Sequence, residues 1–122
     1  MAKRFTCTEK WSKQSFTDLP LKMKVAWIYL LDRCDNAGIW DINIKLLSFQ
    51  IGEEITLNEL QQSFKNKIEV IGNKLIIKQF ITFQYGELNP NNNAHISVIR
   101  KLDQLKIGKK KPGAGQGLAR GP

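Results

Sequence analysis

Between Leu21 and Cys34 the apolar residues Met23, Trp27, Leu30, Leu31 and Cys34 fall at i, i+4, i+7, i+8 and i+11, which lines one face of a helix. Lys22, Lys24, Asp32 and Arg33 suit the solvent side. No other feature constrains the fold as strongly, because a helix with one apolar face has to bury it against other elements. Both ends are marked. Asp18-Leu19-Pro20 offers a capping-type Asp and a Pro tolerated in the first turn. Asp35-Asn36-Ala37-Gly38 breaks the helix, since Asn and Gly accept left-handed backbone.

Shorter signals surround this helix. Residues from Arg4 to Trp11 read as extended, followed by a short helical stretch over Trp11–Thr17 with Trp11 and Phe16 facing inward. Ile39-Trp40-Asp41-Ile42 reads as a very short strand. Asn43 can cap a helix to about Ile51, with Ile44, Leu47 and Ile51 on one face and Gly52 ending it. Thr56-Leu57-Asn58-Glu59 fits the capping box and opens a third helix to about Lys65, with Leu57, Leu60 and Phe64 expected inside. Ile68–Ile71 and Lys74–Ile77, joined by Gly72-Asn73, read as a β-hairpin. Gln79–Tyr85 reads as a short aromatic helix with Phe80 and Phe83 packing back on the core. A last helix is expected from Asn93 to about Lys106, with Val98, Leu102 and Leu105 on one stripe. From Gly108 no apolar face remains, so residues 108–122 read as a flexible basic Gly-rich tail behind a folded region of residues 1–107.

Composition narrows the function classes. The chain has 122 residues, 42% of them hydrophobic, close to an ordinary globular protein. Its longest apolar run, Val25–Leu31, is far short of the roughly 20 residues a membrane span needs. The opening residues lack the apolar stretch of a secretory signal, and Cys7 and Cys34 read as reduced thiols, so a cytoplasmic setting is expected. Nineteen Lys+Arg against eleven Asp+Glu give a net charge of +8, which suggests a polyanionic partner. From His95 onward there are seven basic residues and one acid, so most of the excess lies at that end.

Helix, short strand, helix, helix and hairpin is the element order of a winged helix: mainly α with a small β-hairpin, here with an added C-terminal helix and tail. In such a fold the second helix of a helix-turn-helix pair can enter the major groove, and the hairpin forms the wing beside it. The helix Thr56–Lys65 would be the recognition helix. Its outward Asn58, Gln61, Gln62 and Lys65 could reach bases or phosphates, since amides pair with adenine and lysine with guanine or phosphate. Asn73 and Lys74 would be the wing contact. Arg100 and Lys101 on the last helix, with Lys109, Lys110 and Lys111 beyond it, would add non-specific phosphate affinity. A solvated polar helix face is the plainer reading of the same residues. Trp11, Trp27 and Trp40 are more often core than stacking platforms, with Trp40 the one that could present a ring at the surface.

Several phrases carry a family resemblance. Ala26-Trp27-Ile28-Tyr29-Leu30-Leu31-Asp32-Arg33-Cys34-Asp35-Asn36-Ala37-Gly38-Ile39-Trp40 and Phe49-Gln50-Ile51-Gly52 are two of them. Phe80-Ile81-Thr82-Phe83-Gln84-Tyr85-Gly86-Glu87-Leu88-Asn89-Pro90 and Asn93-Ala94-His95 are the others. Together they resemble the N-terminal winged-helix domain of phage and prophage replication initiators, the replisome organisers of DnaD-like architecture. The resemblance spans about residues 3–107. It implies origin binding or single-strand DNA binding, self-association, and recruitment of a helicase or helicase loader.

A non-enzymatic DNA-binding protein of phage or prophage replication is therefore the leading expectation. Duplex DNA is the partner, with single-stranded DNA and a second copy of the chain as further candidates. Two rivals stay open: an oligomerising protein-interaction adaptor of the replication machinery, and a winged-helix transcriptional repressor. Catalysis finds little support. His95 among Asn91, Asn92 and Asn93 faintly resembles a nuclease signature, but metal-assisted hydrolysis needs a second imidazole or clustered carboxylates, and His95 is the sole histidine. The four-ligand zinc pattern of His and Cys cannot be assembled, no phosphate-binding Gly-rich loop is present, and no cofactor is called for.

Overall fold

The computed structural model describes residues 3–110, with side chains through residue 105. Two compact units divide after Gly86. The first contains a 3-10 helix (Thr8–Ser12), α1 (Gln14–Thr17), α2 (Leu21–Arg33), β1 (Ile39–Asp41), α3 (Ile44–Ile51), α4 (Leu57–Ser63), β2 (Ile68–Ile71), β3 (Lys74–Ile77) and α5 (Phe80–Tyr85). The second contains α6 (Asn93–Lys110). The described chain is thus mainly helical, with one small antiparallel sheet in the order β1-β3-β2.

α2 buries Met23, Ala26 and Leu30, with Cys34 buried just past its end, and leaves Trp27 and Leu31 half-buried. Its start departs from the sequence expectation. Asp18 closes α1 instead, where its Oδ1 accepts a hydrogen bond from Gln14 (2.6 Å), and α2 begins at Leu21 with the Pro20 carbonyl accepting from Met23 and Lys24. At the far end Asp35 Oδ1 accepts from the N–H groups of Ala37 (2.9 Å) and Ile39 (3.0 Å), and Gly38 takes φ +79°. That Asx-type turn delivers the chain into β1.

β1 lies on β3 with Ile39 opposite Ile76, Trp40 opposite Leu75 and Asp41 opposite Lys74. The short strand is therefore an edge of the hairpin's own sheet. In the hairpin link, Gly72 alone takes the positive φ (60°), the arrangement of a II′ turn. α3 is capped as expected, Asn43 Oδ1 accepting from Leu46. Between α3 and α4 the Ser48 hydroxyl both donates to the Ile55 carbonyl and accepts from its N–H, pinning Ile55 in the core. Leu47, Ile55, Leu60, Phe64, Ile68, Leu75, Ile77 and Phe80 join the α2 residues in one cluster.

The tryptophans reverse the expected order. Trp40 is 7% exposed, against Leu75 on the inner face of the sheet, whereas Trp11 is 61% exposed, its ring edge-on to buried Phe16 (ring centroids 4.9 Å apart). Leu57 is half-buried instead of buried, and Phe83 stands half in solvent. In the second unit Asn92 Oδ1 accepts from Ala94, and His95 Nδ1 accepts from the Asn89 N–H (2.9 Å), a local helix-start role. The α6 backbone is helical to Lys110, past the expected end near Lys106, and residues 111–122 lie outside the described residues.

Cys7 and Cys34 are free thiols. Burial pushes the Cys34 thiol up to about 11 from 9.0, against a smaller opposing pull from the Arg4 charge. The thiol donates to the Leu31 carbonyl, and Arg4 donates to Cys34's own carbonyl (2.8 Å). A thiol whose folded pKa is raised binds its proton more tightly in the folded state. Its contribution is whole below pH 9 and is lost as pH climbs toward 11. Two pKa units correspond to about 2–3 kcal/mol. Denaturation midpoints at pH 8 and above pH 10 should fall more steeply for the wild type than for Cys34→Ala. Parallel pH dependences would show that the Cys34 proton plays no part.

Candidate nucleic-acid interface

α4 forms where the sequence signals it. Thr56 Oγ1 accepts from the Glu59 N–H (3.1 Å) and Glu59 Oε1 accepts from the Thr56 N–H (2.9 Å), the reciprocal capping box. Leu60 and, just beyond the helix, Phe64 turn inward, and Asn58, Gln61 and Gln62 are left exposed at i, i+3 and i+4. The structure brings these three amides together on one helix face, as expected.

Lys65 does not join them. The helix ends at Ser63 because Phe64 leaves helical geometry (φ −119°, ψ 29°), and its carbonyl then accepts from both Lys67 (2.7 Å) and Ile68 (3.1 Å). The chain has four residues in which to bury the Phe64 ring against Trp27 and reverse into β2. Lys65 rides on that turn, exposed.

The charge around α4 is also not what a phosphate-facing helix needs. Glu59 pairs with Lys22 (2.8 Å), whose ammonium also donates to the Glu54 carbonyl (3.1 Å). The hydrogen bond with Glu59, with help from the fields of Glu59, Glu53 and Glu54, raises the Lys22 pKa, and the same bond first among its causes lowers that of Glu59. The start of α4 therefore has three carboxylates and one ammonium about it, and the helix offers neutral amides without cations. The expectation that amides and cations project together from this helix is corrected for the cation, Lys65, while the three amides do share one face.

At the hairpin, Asn73 is exposed and its carbonyl accepts from Ile42 (2.9 Å). Lys74, expected as a free wing contact, is ion-paired with Asp41, its register partner on β1, so its charge is already met across the sheet. Arg100 is exposed on α6, and Lys101 is half-buried and engaged within the protein. Lys109 and Lys110 belong to the helical backbone of α6, and Lys111 lies outside the described residues.

Sequence reasoning passed over Lys10, Lys13, Lys67 and Lys78, which line a cleft in the first unit that no carboxylate borders. Among the described residues no three His, Cys, Asp or Glu converge where they could hold a metal, and no helix is long and apolar enough to cross a membrane. Comparisons with protein-family models, with curated proteins and with solved structures found no match for the chain.

Proposed function

We propose that this protein is a non-enzymatic, cytoplasmic DNA-binding protein of phage or prophage replication, built as a winged helix whose α4 reads duplex DNA. The observation that carries the reading is the row of exposed amides, Asn58, Gln61 and Gln62, on a helix clamped into the core by Leu60 and Phe64 and followed directly by a β-hairpin. Such amides suit direct readout of adenine edges. The chain's net +8 supplies the general attraction to a polyanion. The replication role comes from the resemblance of residues 26–40, 49–52, 80–90 and 93–95 to replisome organisers of DnaD-like type.

A gel-shift series with the full chain tests this. The double variant Gln61→Ala/Gln62→Ala should lose preference among duplex sequences, by roughly tenfold for each bidentate amide contact, and retain non-specific binding at low salt. Unchanged preference would remove α4 from the groove, and no binding of any DNA at low salt would end the DNA-binding reading altogether.

One observation favours the adaptor reading. Leu21, Val25 and Ile28, at i, i+4 and i+7 on α2, stand exposed on the side away from the core, and Phe49 on α3 is 82% exposed. Light scattering on the same samples separates the two: a stable oligomer without DNA affinity supports the adaptor.

A further inference from the structure

The cleft in the first unit has the chemistry of a stacking groove for an anionic chain. Its floor is Phe16, Trp27, Leu31, Ile77 and Phe80, and its volume is about 500 Å³, within the usual range for ligand sites. Two further rings stand at its surface, Phe5 (72% exposed) and Phe83 (50% exposed). They are held, not loose. The Phe5 N–H donates to Gln84 Oε1 (3.0 Å) and Gln84 Nε2 donates back to the Phe5 carbonyl (2.9 Å), which ties the N-terminal segment along α5. Arg4 fixes the same segment from beside it, its guanidinium over the Phe80 ring and its Nη2 on the Cys34 carbonyl.

Four lysines surround these rings, and the groups that Lys10 and Lys67 meet are neutral. Lys10 Nζ donates to Thr6 Oγ1 and to the Cys7 carbonyl, both at 3.0 Å. Lys67 Nζ reaches Ser15 Oγ (3.5 Å) and lies 5.4 Å from the Trp27 ring centroid. Lys13 and Lys78 are exposed. Lys22 and Lys74, by contrast, are ion-paired, with Glu59 and Asp41. The cleft thus carries four positive charges with no carboxylate in its lining. It also holds Gln79, the one described non-glycine residue at positive φ (64°), a strained backbone of the kind that clusters at functional sites.

We propose that this cleft binds single-stranded nucleic acid, its bases stacking on Phe5 and Phe83 and its phosphates meeting Lys10, Lys13, Lys67 and Lys78. An acidic peptide would use the lysines and leave the exposed rings without a purpose. Duplex DNA would present its phosphates and keep its base faces stacked away from the rings. An unpaired strand offers both phosphate charge and free π-faces, the combination that single-strand sites are built to receive. This deepens the nucleic-acid-binding reading above and rests on it, with a different surface and a different form of the polymer.

The test is fluorescence anisotropy of the full chain with labelled thymidine and uridine homo-oligomers of roughly 12 nucleotides. Comparing the two probes shows whether DNA or RNA is preferred, and tight binding of either supports the site. Phe83→Leu, which keeps apolar bulk but no ring, should weaken binding about tenfold, and Phe83→Tyr should restore it. Lys10→Gln/Lys13→Gln should lower the log–log salt slope by roughly 1.4 for a single strand. Sequence preference among duplexes should be untouched by all three. If the wild type binds oligomers and these variants bind equally well, the cleft is not the site, although nucleic-acid binding stands. If it binds duplex but no oligomer, the proposal falls and the α4 reading survives. Equal competition by polyglutamate reduces the cleft to a polyanion patch and overturns it.

Discussion

Replacing Gly38 with alanine should destabilise the first unit by about 2–5 kcal/mol, a large part of the stability of a domain this size. Two costs add. At φ +79° an L-side chain pays the left-handed penalty, roughly 1–2 kcal/mol. The new Cβ would also stand 2.7 Å from Phe80 Cβ and 2.9 Å from its Cγ. Those atoms sit at the root of a buried side chain and cannot swing aside, so the clash must move backbone. The backbone there is fixed on both sides: Gly38's N–H donates to Asp35 and its carbonyl accepts from Ile77 (2.8 Å). Gly72→Ala is the control. It has a positive φ (60°) and nothing within 4 Å of an added Cβ, so only the first cost applies. Urea denaturation of both variants separates strain from crowding. Equal losses would show that Phe80 yields, and that the turn is not locked against α5.

The same turn shows how far sequence reasoning reaches. Asp35-Asn36-Ala37-Gly38 is visible as a helix stop because the backbone preferences of Asn and Gly are local. That Gly38 packs beneath Phe80, forty-two positions later, is not local and leaves no trace in the neighbouring residues. The α2 period, the Asn43 cap, the Thr56–Glu59 capping box and the Gly72-Asn73 link belong to the first kind, and each appears in the structure as expected. The inward face of a long helix is legible too, since its period averages over many residues.

Short elements are another matter. Over Trp11–Thr17 there are too few residues for a period to choose between Trp11 and Phe16, and the larger ring lost its place inside. The pattern carries α4 two residues too far because Gln61–Lys65 contains no Gly or Pro to mark a stop. Phe64 ends it by tertiary demand, burying its ring against Trp27. The partner of Lys74 follows from the β1–β3 register, which a three-residue strand does not specify by pattern. One missed feature was within reach. A hairpin of four residues, a two-residue link and four more sets Lys67 opposite Lys78, and the Lys78 N–H does donate to the Lys67 carbonyl (2.9 Å). Half of the cleft's charge was implicit in that register. Lys10 and Lys13, which complete it, arrive only through the docking of the N-terminal segment on α5.

Charge placement bears on how the two proposed surfaces divide the work. The acids Glu53, Glu54 and Glu59 gather at the start of α4, whereas Lys10, Lys13, Lys67 and Lys78 gather in the cleft. Steering of a polyanion is therefore expected at the cleft, and discrimination without strong attraction at the amide face. Salt should weaken single-strand binding steeply and change sequence preference on duplex little, because amide–base hydrogen bonds release no counterions.

Phe64→Ala should cost about 3–5 kcal/mol, the range for truncating a buried aromatic, and lower the melting temperature by more than ~10 °C. The ring is 2% exposed, its centroid 5.0 Å from that of Trp27, and it packs in the cluster that joins α2, the sheet and α4. It is also the residue at which the helix ends, so its loss removes both a core filler and the anchor that fixes where α4 stops. No neighbour is placed to fill the space cheaply, because Leu60 and Leu75 are themselves wholly buried. Gln61→Ala and Gln62→Ala on the same helix should shift stability by no more than about 0.5 kcal/mol, since both side chains are exposed and alanine is the better helix former. The contrast has functional content. If α4 is a rigid platform, Phe64→Ala should blur duplex preference and lower stability together, whereas the glutamine variants should blur preference alone. A Phe64→Ala cost below about 1 kcal/mol would mean that the helix is held by Leu60 and its capping box without the ring. A glutamine variant that cost several kcal/mol would place those amides in a structural role and remove them from contact with bases.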